Sequence, residues 1–474
     1  MPPTKNKHIS VMKKFLLSII YCYVHCILTA QEKNVFTVDD FVQQVKQFHP
    51  VAKQANLITK QAVAAVTAAR GNLDPAIMFD ASRKTFDGKN YYFYTNPELK
   101  IPIWIGADIK AGLESNGGAY LNPEVTSGNT SYMGVEVPLA KGLFMDKRRA
   151  AIQQAKIFQS QSTQERAQIL NDLLFDAYTT YWQWAGSYTL YNLYNRFLQT
   201  ASQRFRLVKI AFINGDRSSM DTLEAYTQLQ NFEMLQTDAF MKLNDAYLEL
   251  STFLWQQNDS AYTLPATFIP DTVRFGEPLQ YQSQEELVNT AFLQNPLLNI
   301  YNYKLDALQV EKKLKFQNLL PVINAKVNIL NREYNVLKGL NAGFIENNYK
   351  WGIDFKLPLF LRQGRGDYQK AKLKIEEANY ALSVKRRETE NKIRSYYNQF
   401  TQMQNQLAIM QSAFNNYNIL LKQEELRFRN GESSLFIVNS RENKMIEAGQ
   451  KLVELRIKYQ KTYYAVQWAG GLLR

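Results

Sequence analysis

Cysteine and histidine are nearly absent. The chain of 474 residues carries 2 Cys and 3 His, which leaves zinc ribbons, iron–sulfur sites and disulfide scaffolds without the side chains they need. No Gly-x-x-x-x-Gly-Lys-Ser/Thr stretch occurs, so there is no loop of the kind that cradles nucleotide phosphates. Acids are plentiful, but no spacing singles out a pair for general acid–base work. The chain is therefore read as no enzyme, with no cofactor and no metal. Proline is missing from two long stretches, 139–264 and 359–474. What is abundant is apolar and aromatic: 46% of residues are hydrophobic, with 28 Tyr and 27 Phe, too many for a disordered chain. Length alone allows about three domains or one large repetitive architecture.

Residues 1–30 read as a secretory signal. Lys13 and Lys14 precede the apolar run Phe15 to Ile20, and Thr29-Ala30 offers small residues before the polar Gln31-Glu32-Lys33. Met12 offers a second start. A retained anchor fits less well, because the apolar core is shorter than the ~20 residues a spanning helix needs. Val24-His25 before Cys26 is also a poor context for lipid attachment. Cleavage after Ala30 would remove Cys22, Cys26, His8 and His25, leaving His49 alone, and would lower the net charge from +13 to +9. His49 directly precedes Pro50 at the end of a short helical pattern, which suits a cap or turn.

The proline-free stretches carry apolar residues at three-four spacing and read as long helices. Leu452, Leu455, Tyr459, Thr462 and Val466 form one such seam, the kind that packs helices around one another. Asn214-Gly215 and Asn430-Gly431 interrupt the two stretches and predict tight turns between antiparallel helices. The arms would be about 40 to 70 residues, or about 60 to 105 Å.

The chain also repeats itself. His49-Pro50 and Asn295-Pro296 lie 246 apart, as do Pro75 and Pro321, and Thr37 to Asp40 precedes Ser283 to Glu286 by the same interval. Further on the interval becomes 216, relating Gly215 to Gly431, Ser218 to Ser434 and Ala155 to Ala371. Two copies of one unit are implied, the first longer by 30 residues between Pro75 and Ala155. The organisation expected is a signal over 1–30 and a first repeat over 31–255, with helices 37–74, a β region 76–139 and a helical hairpin 143–255. A linker, 256–282, leads to a second repeat over 283–474, with helices 283–320, a β region 322–359 and a helical hairpin 364–470.

The β segments alternate strictly. In Tyr349 to Leu357 every odd position is apolar and every even one polar or glycine, and Ile103 to Glu114 does nearly the same, with Trp104 the exception. Such strands face one apolar and one wet environment, which fits the surface of a soluble sandwich or a barrel wall between lipid and a watery lumen. Two hairpins close neither within one chain, so several chains would pool their strands. Tyr91 to Tyr94, Trp104, Tyr349 and Trp351 would then supply interfacial aromatics.

An exported chain of two repeats, each a β hairpin feeding a long helical hairpin with a glycine turn, resembles the TolC-type outer membrane efflux proteins. Gly352 to Phe360, with Pro358 and the following Gly364 and Gly366, looks like that family's strand-to-helix passage. Val137-Pro138-Leu139 followed by Gly142-Leu143-Phe144 is its first-half counterpart, and Phe212 to Asp221 and Phe428 to Ser434 look like its two helix turns. The similarity runs from about Phe36 to Leu473. It implies a mainly α fold with a β-barrel portion: a homotrimer with one 12-stranded barrel in the outer membrane and a 12-helix tunnel extending into the periplasm. The implied partners are a periplasmic adaptor, an inner membrane pump or ATP-driven exporter, and outer membrane lipid. The implied tip and gate residues are Gly215, Asp221, Glu224, Gly431 and Ser434, with Pro138 and Pro358 at the barrel-to-helix transition. Asp221 stands six residues after its turn glycine and Glu224 one helical turn on, whereas the second repeat has Ile437 and Ser440 there, with Glu442 beyond.

The function implied is a passive exit duct driven by an inner membrane transporter. A periplasmic coiled-coil scaffold or adaptor without a pore is the alternative, although it leaves the two-sided strands unemployed. A nucleic-acid partner is disfavoured by export and by the mixing of bases with acids, as in Glu311 to Lys315.

Overall fold

The structure, a computed structural model, describes residues 34–121, 125–265, 267–334 and 348–474. The signal expected over 1–30, with Met12 and both cysteines, lies outside the described residues. The described residues are 65% helical with some antiparallel sheet.

Each half opens with a short helix and a longer one. Thr37 caps α1 (Val38–Phe48) by accepting from the Asp40 amide, and His49 caps α2 (Pro50–Arg70) through Nδ1, which accepts from the Val51 amide at 3.2 Å. After α2 come four strands, β2 (Ala76–Phe86), β3 (Lys89–Pro102), β4 (Asp108–Gly117) and β5 (Gly128–Pro138). A short β1 (Asn34–Phe36) precedes α1. The long helix α3 (Lys147–Ile213) is 67 residues and α4 (Ser219–Ser251) returns from it.

The second half repeats the order. A capping box of Ser283 and Glu286 starts α5 (Gln284–Gln294), and Asn295 caps α6 (Pro296–Phe316). Then follow β7 (Val322–Arg332), β8 (Tyr349–Lys356), α7 (Arg362–Arg429, 68 residues) and α8 (Leu435–Gly470). Between the halves, β6 (Phe268–Pro270) pairs in parallel with β1 and ties the linker back to the start of the described chain. At about 1.5 Å per residue, α3 and α7 are each about 100 Å long. The return arms α4 and α8 have 33 and 36 residues, shorter than the forty expected. They stop because α4 ends in the turn that opens the linker and α8 in a left-handed Gly471 cap.

Helix pairing follows the seams. α3 packs with α4, α7 with α8, and α2 and α6 run beside α3, with α6 also against α7. Leu452, Leu455, Tyr459, Thr462 and Val466 are all buried. Aromatic residues concentrate in a belt about midway along the helices, where Phe41, Tyr181, Trp182, Trp184 and Phe275 form one core. Tyr181 is fully buried, donating to the Phe36 carbonyl at 2.6 Å and accepting from the Asp271 amide at 3.1 Å, so helix α3 holds both strands of the pair at their C-terminal end. The aromatic surplus therefore fills this belt as well as the strands.

The larger sheet has the order β2-β3-β4-β5-β7-β8, antiparallel throughout. The first β region thus holds four strands where a single hairpin was expected. Shifting Ala76–Phe86 by the 246-residue sequence interval lands on Val322–Arg332, the full extent of β7, and in that alignment the β3–β4 hairpin has no counterpart in the second half. Two features conceal it in the sequence. Pro97 sits inside β3, where its missing N–H interrupts the ladder to β4 between Thr95 and Glu98. The alternating run from Ile103 is also not all strand. Ile103 to Ala107 is a turn closed by hydrogen bonds of Ile103 to Ala107 and Gly106 to Ile103, with Gly106 at φ +89°, and β4 begins only at Asp108.

Candidate functional site

The two faces of the sheet are set by register. Ile77, Leu99, Ala111, Met133, Ile329 and Tyr349 align across all six strands, and Ile101, Ile109, Val135, Val327 and Trp351 form the next row. Most of these apolar side chains are exposed, Ile77 by 84%, Trp351 by 64% and Val327 by 50%, while Ile101, Ile109 and Ala111 are half-buried. The opposite face carries the polar groups and is the better covered. There Lys100 pairs with Asp108 at 3.0 Å, Lys110 with Glu136 at 2.8 Å and Lys326 with Asp354 at 2.5 Å. The Tyr132 hydroxyl, on a side chain only 7% exposed, donates to Glu98 at 2.6 Å.

Glycine permits this close polar packing. A Cβ at Gly112 would meet the Tyr132 ring at 2.5 Å, and one at Gly134 would meet Asn328 Oδ1 at 1.9 Å. The arrangement inverts a soluble sandwich, whose sheets bury their apolar faces. It is the division of faces found in a barrel wall with lipid outside and water within. No helix among the described residues is long and apolar enough to cross a membrane.

Sheet and helices are joined by a compact polar hinge. Pro138 is the last residue of β5, and past it Leu139 and Lys141 donate to the Ile323 and Pro321 carbonyls. The Gly142 amide, at φ +92°, reaches Gln317 Oε1 at 3.1 Å. From the first turn of α3, Arg148 holds Asp108 at 2.6 Å and the Gly106 carbonyl at 3.1 Å, so α3 clamps the turn before β4. In the second half Pro358 lies two residues past β8. Leu361 adopts φ +47° to start α7, and Gly364 lets that helix approach the Asn318 carbonyl.

At the far end, Gly215 and Gly431 have φ of +83° and +79°. Each follows a helix closed by a six-to-one hydrogen bond, Asp216 to the Ala211 carbonyl and Glu432 to the Arg427 carbonyl, both 2.9 Å. Asp221 and Ser218 form a capping box at the start of α4, with the Asp221 carboxylate accepting from the Ser218 amide at 3.1 Å. Ser434 caps α8 by accepting from the Ile437 amide. Glu224 accepts from Asn439 Nδ2 at 3.2 Å, linking α4 to α8.

Sequence reasoning set Glu442 aside, and the structure brings it to the centre of this end. Fully buried, it accepts two hydrogen bonds from Arg204, at 2.8 and 3.0 Å, and one from Gln228 at 3.4 Å. Arg204 also reaches Glu425 at 3.3 Å, so one guanidinium ties α3 to α7 and α8. Nothing in the local sequence marks the pair, whose members stand 238 residues apart. No group of His, Cys, Asp and Glu among the described residues is arranged to hold a metal ion.

Comparison with known proteins places this geometry in a class. Residues 287–471 match the outer membrane efflux protein family. The fold is that of solved outer membrane channels. Against the Neisseria gonorrhoeae MtrE outer membrane channel in its open state the TM-score is 0.66 at 14% identity, over 92% of this chain and 89% of that one. Against the Campylobacter jejuni CmeC outer membrane channel it is 0.63 at 16% identity, over 92% and 86%. The outer membrane protein VceC of Vibrio cholerae gives 0.63 at 14% identity, over 92% and 96%. A comparison with curated protein sequences finds no match. The chain thus has the fold of the outer membrane efflux channels, and its second half carries that family's sequence pattern.

Proposed function

We propose that this chain is a subunit of an outer membrane exit duct, a passive conduit that crosses the outer membrane and extends through the periplasm. The observation that carries the reading is the inverted sheet: apolar rows exposed, charged rows paired and covered. Lipid on one side and water on the other give both faces a favourable environment. A pore-free periplasmic scaffold would leave the exposed rows of Ile77, Val327 and Trp351 in water.

The two halves are copies of one unit, and three chains assemble with their sheets closing one barrel and their long helices one tunnel. Such a tube has no energy source of its own, so an inner membrane pump or ATP-driven exporter, engaged through a periplasmic adaptor at the Gly215 and Gly431 turns, would supply it. Around a threefold axis Asp221 and Glu224 would repeat as a ring of carboxylates that attracts cations. The polypeptide supplies walls and no chemistry.

The test is conductance of the purified protein in planar bilayers, together with carbonate washing of membranes. Stepwise channel events from a wash-resistant protein support the duct. A protein released by carbonate that opens no channels sinks it.

A further inference from the structure

Among the described residues, the strands β2 and β8 each have a hydrogen-bonded neighbour on one side only. They are also the most uncovered strands of the sheet: every residue of β2 and all but one of β8 are exposed, whereas β3, β4 and β5 are largely half-buried or buried. Both continue the outward apolar rows, through Ile77 and Phe79 on one edge and Trp351 and Ile353 on the other. Open edges are not tolerated in hydrocarbon, where unpaired N–H and C=O groups find no water. An edge that faces lipid must therefore be paired.

We infer that β8 of one copy pairs with β2 of the next, so that the β3–β4 hairpin is a full part of the wall and the trimeric barrel has eighteen strands rather than twelve. The inference rests on the trimeric duct reading above and concerns how its wall closes. The two edges run in opposite directions relative to the hinge, as antiparallel pairing requires: β2 leaves the helices and β8 returns to them.

The number of strands sets the width of the wall. With strands about 4.8 Å apart and tilted about 40°, eighteen strands close at a diameter of about 36 Å and twelve at about 24 Å. Four helices per chain, α2, α3, α6 and α7, lie nearest the hinge, and twelve helices spaced about 8 to 10 Å apart close at about 31 to 38 Å. On these figures an eighteen-stranded barrel is about half again as wide as a twelve-stranded one and comparable to the helical tunnel. The inserted hairpin thus gives a wider exit, with room for bulkier cargo.

Site-directed crosslinking tests which strand meets β8 across the interface, and the number of strands is read from the particle itself. Ile353→Cys in β8 is combined in the full chain with Cys at Ile77, Phe79 or Ala81 in β2, or at Ile109, Ala111 or Leu113 in β4. Membranes are then treated with a short bis-maleimide, with Ile353→Cys alone controlling for Cys22 and Cys26. Covalent dimers and trimers from the β2 set and none from the β4 set are expected. Linked oligomers from the β4 set would overturn the eighteen-stranded wall while leaving the trimer standing. A native mass of one chain, with β2 linked to β8 inside it, would overturn the trimer itself. The unmodified particle gives a reading free of substitutions: eighteen staves in electron cryomicroscopy support the proposal, and twelve refute it.

Discussion

Arg204 on α3 and Glu442 on α8 face each other through two hydrogen bonds of 2.8 and 3.0 Å, with the Glu442 side chain fully buried and Arg204 nearly so. A charge so placed is tolerated because its partner and Gln228 replace the lost water. Removing one member leaves the other charge stranded. Arg204→Ala or Glu442→Ala is expected to cost about 3 to 5 kcal/mol locally, whereas replacing both with apolar residues of similar volume is near neutral. Hydrogen exchange at the helix ends around residues 200–210 and 438–446 checks this. Equal protection in the single and double variants would refute it.

Ser218 and Asp221 separate capping from ion attraction. Ser218→Ala removes the hydroxyl that accepts from the Asp221 amide at 3.1 Å and should cost about 1 kcal/mol, with divalent-cation block of the channel unchanged. Asp221→Asn and Glu224→Gln keep side-chain acceptors but delete charge, and each should weaken the block. Single-channel recordings over a cation titration distinguish the two, and an unaltered block in both amide variants would reduce Asp221 to a cap.

Gly215 and Gly431 have open space around the position of a Cβ, so any penalty for a side chain comes from the left-handed backbone alone. Alanine at either is expected to destabilise its turn by about 1 to 2 kcal/mol, and asparagine by less. Gly134 is the opposite case. A Cβ there would also approach the Val327 carbonyl to 2.6 Å, so Gly134→Ala should block pairing of β5 with β7. Thermal melts in detergent should show small shifts for the turn variants and loss of assembled protein for Gly134→Ala.

His49 makes stability pH-dependent. Burial lowers its pKa below the ordinary 6.5, and its neutral Nδ1 is the acceptor that caps α2. A depressed pKa in the folded state means that stability is fully present above pH 6.5 and declines as pH falls through the folded value. Asn295 does the same work for α6 without titrating, its Oδ1 accepting from the Leu297 and Leu298 amides. His49→Asn should therefore retain the cap and flatten the melting temperature between pH 7 and 5. A profile as steep as that of the unaltered protein would show that other groups carry the dependence.

The helical part was largely legible. Proline-free runs, the Asn-Gly turns, the His49 cap and the Leu452 to Val466 seam are local signals, because capping, turn conformation and helical periodicity act over fewer than ten residues. The β part was legible only as alternation. Ile103 and Ile105 imitate strand residues inside a turn, and Pro97 hides a real strand, because both depend on which chain segment lies alongside. Arg204 and Glu442 left no trace for the same reason.

Sequence alone settles that this chain makes long paired helices and two-sided strands, since periodicity and residue conformational preference are properties of short segments. Tertiary structure decided which side of those strands is covered, how many stand in one sheet and which acid is buried at the helical end. Those depend on register and burial between residues as much as 238 positions apart, and an alternating strand reads the same whether its apolar face meets a core or a membrane.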